Sequence, residues 1–267
     1  MGSPNKAGSA SVHGEPLGDD ELKATKEALG FDSTKSFYID EEVYSFCRKC
    51  ISEKRKKKLQ WEENFKVWEE EKKTKAKKLE AQLSKNISKK LEKELHQYGK
   101  NGKKDATRSI SGEVIQILAK NLEGFIGGSA DLAPSTKTLI KDTQSIQKKS
   151  FKGKNFHFGV RELAMGGIVN GLAYEGLWFP FGATFAVFSD YMKPTIRVAA
   201  ISKIQAFYIF THDSIFVGED GPTHQPIEHM QALRMLPNTY VFRPADAMET
   251  AFSYLAALEK TKSPSAF

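Results

Sequence analysis

Ala206-Phe-Tyr-Ile-Phe-Thr-His-Asp-Ser-Ile-Phe-Val-Gly-Glu-Asp-Gly-Pro-Thr-His-Gln-Pro226 is the stretch that decides the fold. Its first five residues form an unbroken apolar run, the length and composition of a buried strand. The sixteen that follow hold two histidines, three acids, two glycines and two prolines, a loop composition loaded with chemistry. The same pairing occurs upstream, where Gly124–Gly128 leads into Gly127-Gly-Ser-Ala-Asp-Leu-Ala-Pro-Ser135. Outward from these, residues after Asp105 alternate between short strands and helices. Strands are expected at Gly124–Gly128, Phe156–Phe158, Trp178–Phe181, Ala206–Phe210 and Tyr240–Phe242. Helices are expected at Thr107–Lys120, Arg161–Tyr174, Phe185–Tyr191, Thr195–Ser202, Pro226–Met235 and Ala247–Leu258. This alternation is the signature of a mostly parallel α/β sheet flanked by helices. The polar motifs fall at the C-terminal ends of strands, where open sheets bind ligands.

Between those two strand–loop units lies Phe158-Gly-Val-Arg-Glu-Leu-Ala-Met-Gly-Gly-Ile-Val-Asn-Gly-Leu-Ala173. It places one carboxylate, Glu162, at the head of an otherwise apolar or tiny run. Glycine inside a helix costs about 1 kcal/mol against alanine, so Gly166, Gly167 and Gly171 call for a reason. Close approach of another backbone, as at a subunit interface, is the expected one. A glutamate opening such a helix is expected to be buried near the positive end of the helix dipole. An Arg161–Glu162 structural pair is the plainer alternative.

The N-terminal part reads differently. Met1–Val12 is small and polar and reads as loop, and His13-Gly-Glu-Pro-Leu-Gly18 is turn-rich. Asp19 or Asp20 is expected to cap a helix that runs to about Leu29 and ends at Gly30. Ile39–Leu95 reads as helix with interruptions. Trp61, Phe65 and Trp68 form one stripe, and Leu79, Leu83, Ile87, Leu91 and Leu95 continue at fours, with a break expected at Asn86 and Ser88. Tyr98–Lys104 reads as the linker between two domains. The formal charge of +7 belongs to one segment: residues 48–104 carry 20 Lys+Arg against 9 Asp+Glu, leaving 20 against 24 elsewhere. Opposite charges alternate along this arm, so it reads as a solvated helical face. It lacks the arginines and the recognisable module of a nucleic-acid reader. Cys47 and Cys50 form a lone Cys-x-x-Cys on a helical stretch, with no second pair for a zinc site. No apolar run approaches the roughly 20 residues of a membrane helix, and a cytoplasmic protein is expected.

The three motifs, in this order, with His13-Gly-Glu-Pro-Leu-Gly18, resemble the transketolase family of thiamine-diphosphate enzymes. The resemblance is strong from Arg108 to Phe267 and weakest between about residues 50 and 100. It implies a helical, lysine-rich connector over 1–104 and a pyrimidine-binding α/β domain over 105–267, truncated before its last strand or strands. Thiamine diphosphate is the implied cofactor. Glu162 is implied to hydrogen-bond its aminopyrimidine ring and favour the imino tautomer. Phe185, Phe188 and Tyr191, spaced three apart, are implied to wall that ring, and Asp131 to contact the cofactor end or an interface. His13 is implied to touch both cofactor and substrate. Arg108, Ser135 and His224 resemble a phosphate clamp, Asp220 a sugar-hydroxyl ligand, and His212 a residue for the donor's hydroxyls and proton transfer.

The implied activity is reversible transfer of a two-carbon ketol unit from a ketose phosphate to an aldose phosphate, in the pentose phosphate pathway. Dihydroxyacetone synthase, the formaldehyde-using variant, shares most of these residues, although Arg108 and Ser135 favour phosphorylated substrates. A non-catalytic truncated product with a basic interaction arm is the other alternative. The family's Gly-Asp-Gly diphosphate motif and its Mg2+ or Ca2+ ligands have no counterpart here, so no metal ligand is expected in this sequence. The chain is therefore expected to be a fragment, inactive alone. A homodimer with active sites at the subunit interface is the expected assembly.

Overall fold

The computed structural model describes residues 2–102 and 104–267. They form two compact units, residues 2–71 and 72–267.

In the first unit, α1 (Asp19–Ala28) starts after Gly18 and is followed by Gly30 at φ +77°. Asp19 lies inside the helix, and neither Asp19 nor Asp20 caps it. The N-terminal segment is not free loop. Ala10–His13 forms a 3-10 turn, and Glu21 accepts hydrogen bonds from the Ser3 hydroxyl and from the backbone N–H (3.0 Å) and side-chain amide (2.9 Å) of Asn5. α2 (Glu41–Glu71) carries the aromatic stripe as a stack, with ring centroids 5.0 Å apart for Trp61–Phe65 and 5.4 Å for Phe65–Trp68. No residue of α2 is buried. Cys47 and Cys50 are both free thiols.

The second unit begins with α3 (Lys73–Ser84) and α4 (Lys89–Lys100). The break falls at 85–88. Lys85 turns left-handed at φ +54°, donates to the Trp178 carbonyl, and lays its ammonium 4.1 Å from the centre of the Phe179 ring. Ser88 then caps α4, its hydroxyl accepting from the Leu91 N–H at 3.2 Å. α4 belongs to the α/β body: Leu91 and Leu95 are buried in its core. Tyr98 donates to Glu113 at 2.7 Å, although Tyr98–Lys104 reads as a linker by composition. Lys103 lies outside the described residues.

The remaining elements alternate in chain order: α5 (Thr107–Asn121), β1 (Phe125–Ser129), α6 (Ala133–Thr136), β2 (Asn155–His157), α7 (Glu162–Glu175), β3 (Phe179–Phe185), α8 (Lys193–Ser202), β4 (Phe207–Thr211), α9 (His229–Arg234), β5 (Tyr240–Val241), α10 (Ala247–Glu259) and β6 (Ser265–Ala266). The six strands make one parallel sheet in the order β2-β1-β3-β4-β6-β5. Helices cover both faces, as a parallel sheet requires. Strand alternation divides the core. Phe207 and Ile209 join Phe125, Phe181, Leu118 and Tyr254 on the face covered by α4, α5 and α10. Tyr208 and Phe210 join Met165, Val169 and Ile196 on the face covered by α7 and α8. Gly127 and Gly128 lie where no side chain fits, since a Cβ at either would overlap a neighbouring strand's carbonyl oxygen, that of Phe181 or Phe156.

Two expected helices are altered. Phe185–Tyr191 is not an α-helix: β3 runs through Phe185, and Ala186–Tyr191 is a 3-10 helix. Pro226–Met235 is helical only over His229–Arg234. Proline lacks the N–H and restricts the residue before it, so the early part of that stretch stays irregular.

Candidate active site

The chain passes from β1 to β2 on one side and then returns to β3 on the other side of β1. The crevice beyond the C-terminal ends of β1 and β3 is therefore a topological switch point, the place where such sheets take ligands. It holds a cavity of about 480 Å³ lined by Ala130, Asp131 and Leu132 after β1, Val160 and Glu162 after β2, and Phe185, Phe188, Tyr191 and His224. That volume is within the range of small-molecule pockets, roughly 300–1,000 Å³.

Glu162 is the first residue of α7 and only 8% exposed. Arg161 does not pair with it: that guanidinium donates instead to the Phe158 carbonyl at 3.0 Å. Among the described residues, no donor bonds the Glu162 carboxyl group. The carboxyl group opens to the cavity, so a donor from outside the chain can reach it there.

The same cavity is lined by three rings, nearly parallel. Phe185 and Phe188 have centroids 6.1 Å apart and planes 11° apart, and Phe188 and Tyr191 are 6.2 Å and 19° apart. The spacing of three suits a 3-10 turn better than an α-helix, because 3.0 residues per turn eclipses positions i and i+3. The turn is held from outside. Asp190 accepts from Lys193 at 2.6 Å and lies 3.2 Å from His229 Nε2 on α9. Asp190, Glu228 and His229 place potential metal ligands within 4.8 Å of one another. With Lys193 already neutralising Asp190, this group acts as an ionic brace for the aromatic turn.

A second, smaller cavity of about 180 Å³ lies at the ends of β4 and β5. Its walls include Arg108, Thr211, His212, Asp213, Arg243 and Tyr254. His212 directly follows β4 with φ +55°, a left-handed conformation that is strained for a residue with a Cβ. Arg108 Nη1 lies 2.7 Å from His212 Nε2, and Thr211 Oγ1 2.9 Å from Nδ1. A guanidinium can only donate, so Nε2 is the acceptor and Nδ1–H donates to Thr211. His212 is therefore the neutral tautomer in this arrangement. Burial first, and the Arg108 charge second, hold its pKa below the ordinary value. The His212 ring lies 3.8 Å from the Phe185 ring, centre to centre, which joins the two cavities at one seam.

The other residues singled out from the sequence divide. His224 is in the first cavity, its ring edge-on to Phe188 with centroids 5.3 Å apart. Asp131 lines the same cavity at φ +63°. Asp220 is exposed in the loop after β4. Arg108 lines the second cavity and His224 the first, and Ser135, in α6, lines neither of the two. His13 is in the other compact unit, exposed at the end of its 3-10 turn. Sequence reasoning missed Arg243 and Asp213. Arg243 had a signal: it sits at the C-terminal end of a short apolar run, Tyr240–Phe242, as the other site residues do.

Comparison with known proteins gives the following. Residues 103–267 match the family described as transketolase, pyrimidine binding domain, and residues 1–88 match transketolase, thiamine diphosphate binding domain. The transketolase of Geobacillus stearothermophilus is 49% identical across 99% of the chain, and that of Bacillus subtilis 46% identical across 100%. The chain spans 40% of the length of each. Among solved structures, a transketolase from Campylobacter jejuni superposes with a TM-score of 0.85 at 43% identity, covering 100% of this chain and 40% of that one. A Pichia stipitis transketolase in complex with sedoheptulose 7-phosphate gives 0.84 at 35% identity, covering 96% and 39%.

Proposed function

This chain belongs to the transketolase family, and from that premise we propose that it supplies the pyrimidine-binding side of a transketolase active site. The division at 104/105, with a connector before it and the pyrimidine-binding domain after it, is part of the same proposal. The reaction is the reversible transfer of a two-carbon ketol unit between sugar phosphates, a step of the pentose phosphate pathway. The observation that carries the proposal is that Glu162, only 8% exposed and with no hydrogen-bond donor among the described residues, lines one cavity with three stacked aromatic rings. An amino-substituted heteroaromatic ring fits both features: its flat faces stack on the aromatics, and its ring nitrogen or amino group meets the carboxyl. Thiamine diphosphate, when bound, supplies the electron sink for making and breaking the carbon–carbon bond.

This chain's own residues do the rest. Glu162 holds or passes a proton at the ring nitrogen it faces, in a site dry enough to fix the geometry. Phe185, Phe188 and Tyr191 exclude water and set the ring plane, and Asp131 borders the same space. His212 is neutral, and its Nε2 lone pair, taken by Arg108 here, becomes available to a sugar hydroxyl proton when Arg108 turns to a substrate phosphate. Arg108 offers a fork to a substrate phosphate, with Ser135 and His224 as further donors, Asp220 as a hydroxyl ligand and His13 as a residue for cofactor and substrate. Mg2+ or Ca2+, with the diphosphate, is assigned to ligands outside this chain. The assembly proposed is a homodimer in the cytoplasm. Leu163, Ile168 and Tyr174 on α7 are exposed apolar side chains, and Gly167 and Gly171 beside them meet nothing within 4 Å, so this bare face is free to receive a second subunit. Gly166, by contrast, is already in use: a Cβ there would overlap Thr195 of α8.

The test uses the 267-residue chain and 4-amino-2-methylpyrimidine as the probe, read by saturation-transfer NMR. Transfer to the probe is expected with the wild type and is expected to be lost in Glu162→Ala and Phe188→Ala. Equal transfer in wild type and Glu162→Ala would overturn the assignment of this cavity.

A further inference from the structure

His212 is held in a left-handed backbone conformation that disfavours a residue with a Cβ, so something must hold it. Three contacts act on its ring: Arg108, Thr211 and Phe185. A fourth acts on the backbone that follows. Arg243 Nε donates to Asp213 Oδ2 at 2.6 Å, and Arg243 Nη2 reaches the Asp213 carbonyl oxygen at 3.5 Å. One guanidinium thus takes both the side chain and the main chain of the residue next to His212. It comes from the segment after β5, two strands away from β4 in the sheet. The geometry points to Arg243 as a positioning residue for His212: by clamping Asp213 at two points it fixes the turn after β4 and so keeps the His212 ring against Phe185 and within reach of Arg108.

Exposure supports a positioning role over a stabilising one. The Arg243 and Asp213 side chains are 53% and 36% exposed. Ion pairs this open add little to stability, so the two-point grip is better read as holding the turn in place. The inference builds on the proposed role of His212 as a substrate residue. Its test is separable from that proposal, because the ring is observed without any ligand.

The experiment is histidine-selective NMR on the 267-residue chain, with the His212 signals assigned by their loss in His212→Gln. Two quantities are read: the shift imposed on the imidazole protons by the Phe185 ring, and the midpoint of the imidazole titration. The charged groups acting on this imidazole are Arg108, Asp213 and Asp220, with Arg243 bound to Asp213. In Arg243→Met the ring-induced shift is expected to collapse and the midpoint to rise toward 6.5, as the ring leaves burial and Arg108. Asp213→Ala discriminates position from charge. Loss of a carboxylate by itself would lower the midpoint, whereas loss of the clamp raises it and removes the ring-induced shift. Arg243→Lys keeps the charge without the fork and is expected to fall between. Melting temperature should drop by no more than about 4 °C in each variant. Retention of the ring-induced shift in Arg243→Met, or a lowered midpoint with that shift retained in Asp213→Ala, would overturn the inference. So would a melting temperature lowered well beyond that limit, because the pair would then be structural.

Discussion

The two compact units draw on the same kind of apolar periodicity and do different things with it. In residues 72–267 the stripes of α4, α5, α7, α8 and α10 meet the two faces of a sheet, and Phe125, Phe181, Phe207 and Tyr208 are almost wholly buried. In residues 2–71 the described residues bury no hydrophobic side chain at all, and Trp61 remains 60% exposed on the aromatic stripe of α2. The polar residues Ser3 and Glu21 are what that unit buries. A stripe thus names the face a helix would offer, and burial needs a second layer to receive it. The difference separates a unit held by packing from one held by a few hydrogen bonds.

The largest effect expected along this contrast is in the packed unit. Phe181→Ala should cost about 3–5 kcal/mol in urea unfolding; a loss under 1 kcal/mol would mean that the sheet core is looser than its burial implies. Gly128→Ala should cost about 1–3 kcal/mol, because the added methyl overlaps the Phe156 backbone and a strand must shift. Glu162→Gln is expected to stay within about 1 kcal/mol of the wild type, because the carboxyl group makes no hydrogen bond among the described residues and opens to the cavity. The same change should weaken the saturation transfer to the pyrimidine probe. A destabilised Glu162→Gln would show that the carboxylate has a partner within the chain.

The hydrogen-bonded unit should answer to acid. Hydrogen bonds from Ser3 and Asn5 hold the Glu21 pKa at about 2, below its ordinary 4.5. A depressed carboxyl stabilises the fold at pH values above 4.5 and loses that contribution as pH falls toward 2. The protection factors of the Ser3–Lys6 amides, each rate taken against its intrinsic rate at that pH, should therefore fall between pH 4.5 and 2 in the wild type, and be already low at pH 6 in Glu21→Gln. Unchanged protection across that window would mean that the segment is held by something else. The smallest effect belongs to Trp61→Ala, expected to stay within about 0.5 kcal/mol for the isolated chain. A larger loss would reveal a packing partner for α2.

The sheet was legible because four of its strands are short runs dominated by apolar residues, and their order along the chain matched the motifs they carry. The carboxylate and the aromatic wall were legible for a related reason, as each stands at the end of such a run. What escaped depends on distance. Spacing shows that Phe185, Phe188 and Tyr191 share a side, but only the structure shows that a strand passes straight into a 3-10 turn there. The tie between Glu21 and Ser3 spans 18 residues and the clamp between Arg243 and Asp213 spans 30. Neither leaves a local pattern. The same holds for Tyr98, polar neighbours and all, which ends a packed helix.

Asn170 brings out a further consequence of the fold. Its side chain donates to the Thr195 carbonyl of α8 at 2.8 Å and accepts from the hydroxyl of Tyr208 on β4. Glu162 sits eight residues earlier on the same helix, about 12 Å along its axis. A helix that turned by one residue would swing its first carboxyl group through about 100° and break both of those bonds together. The amide therefore works like a keyway on a shaft: the angle at which Glu162 enters its cavity is locked more than two turns away, against buried Tyr208.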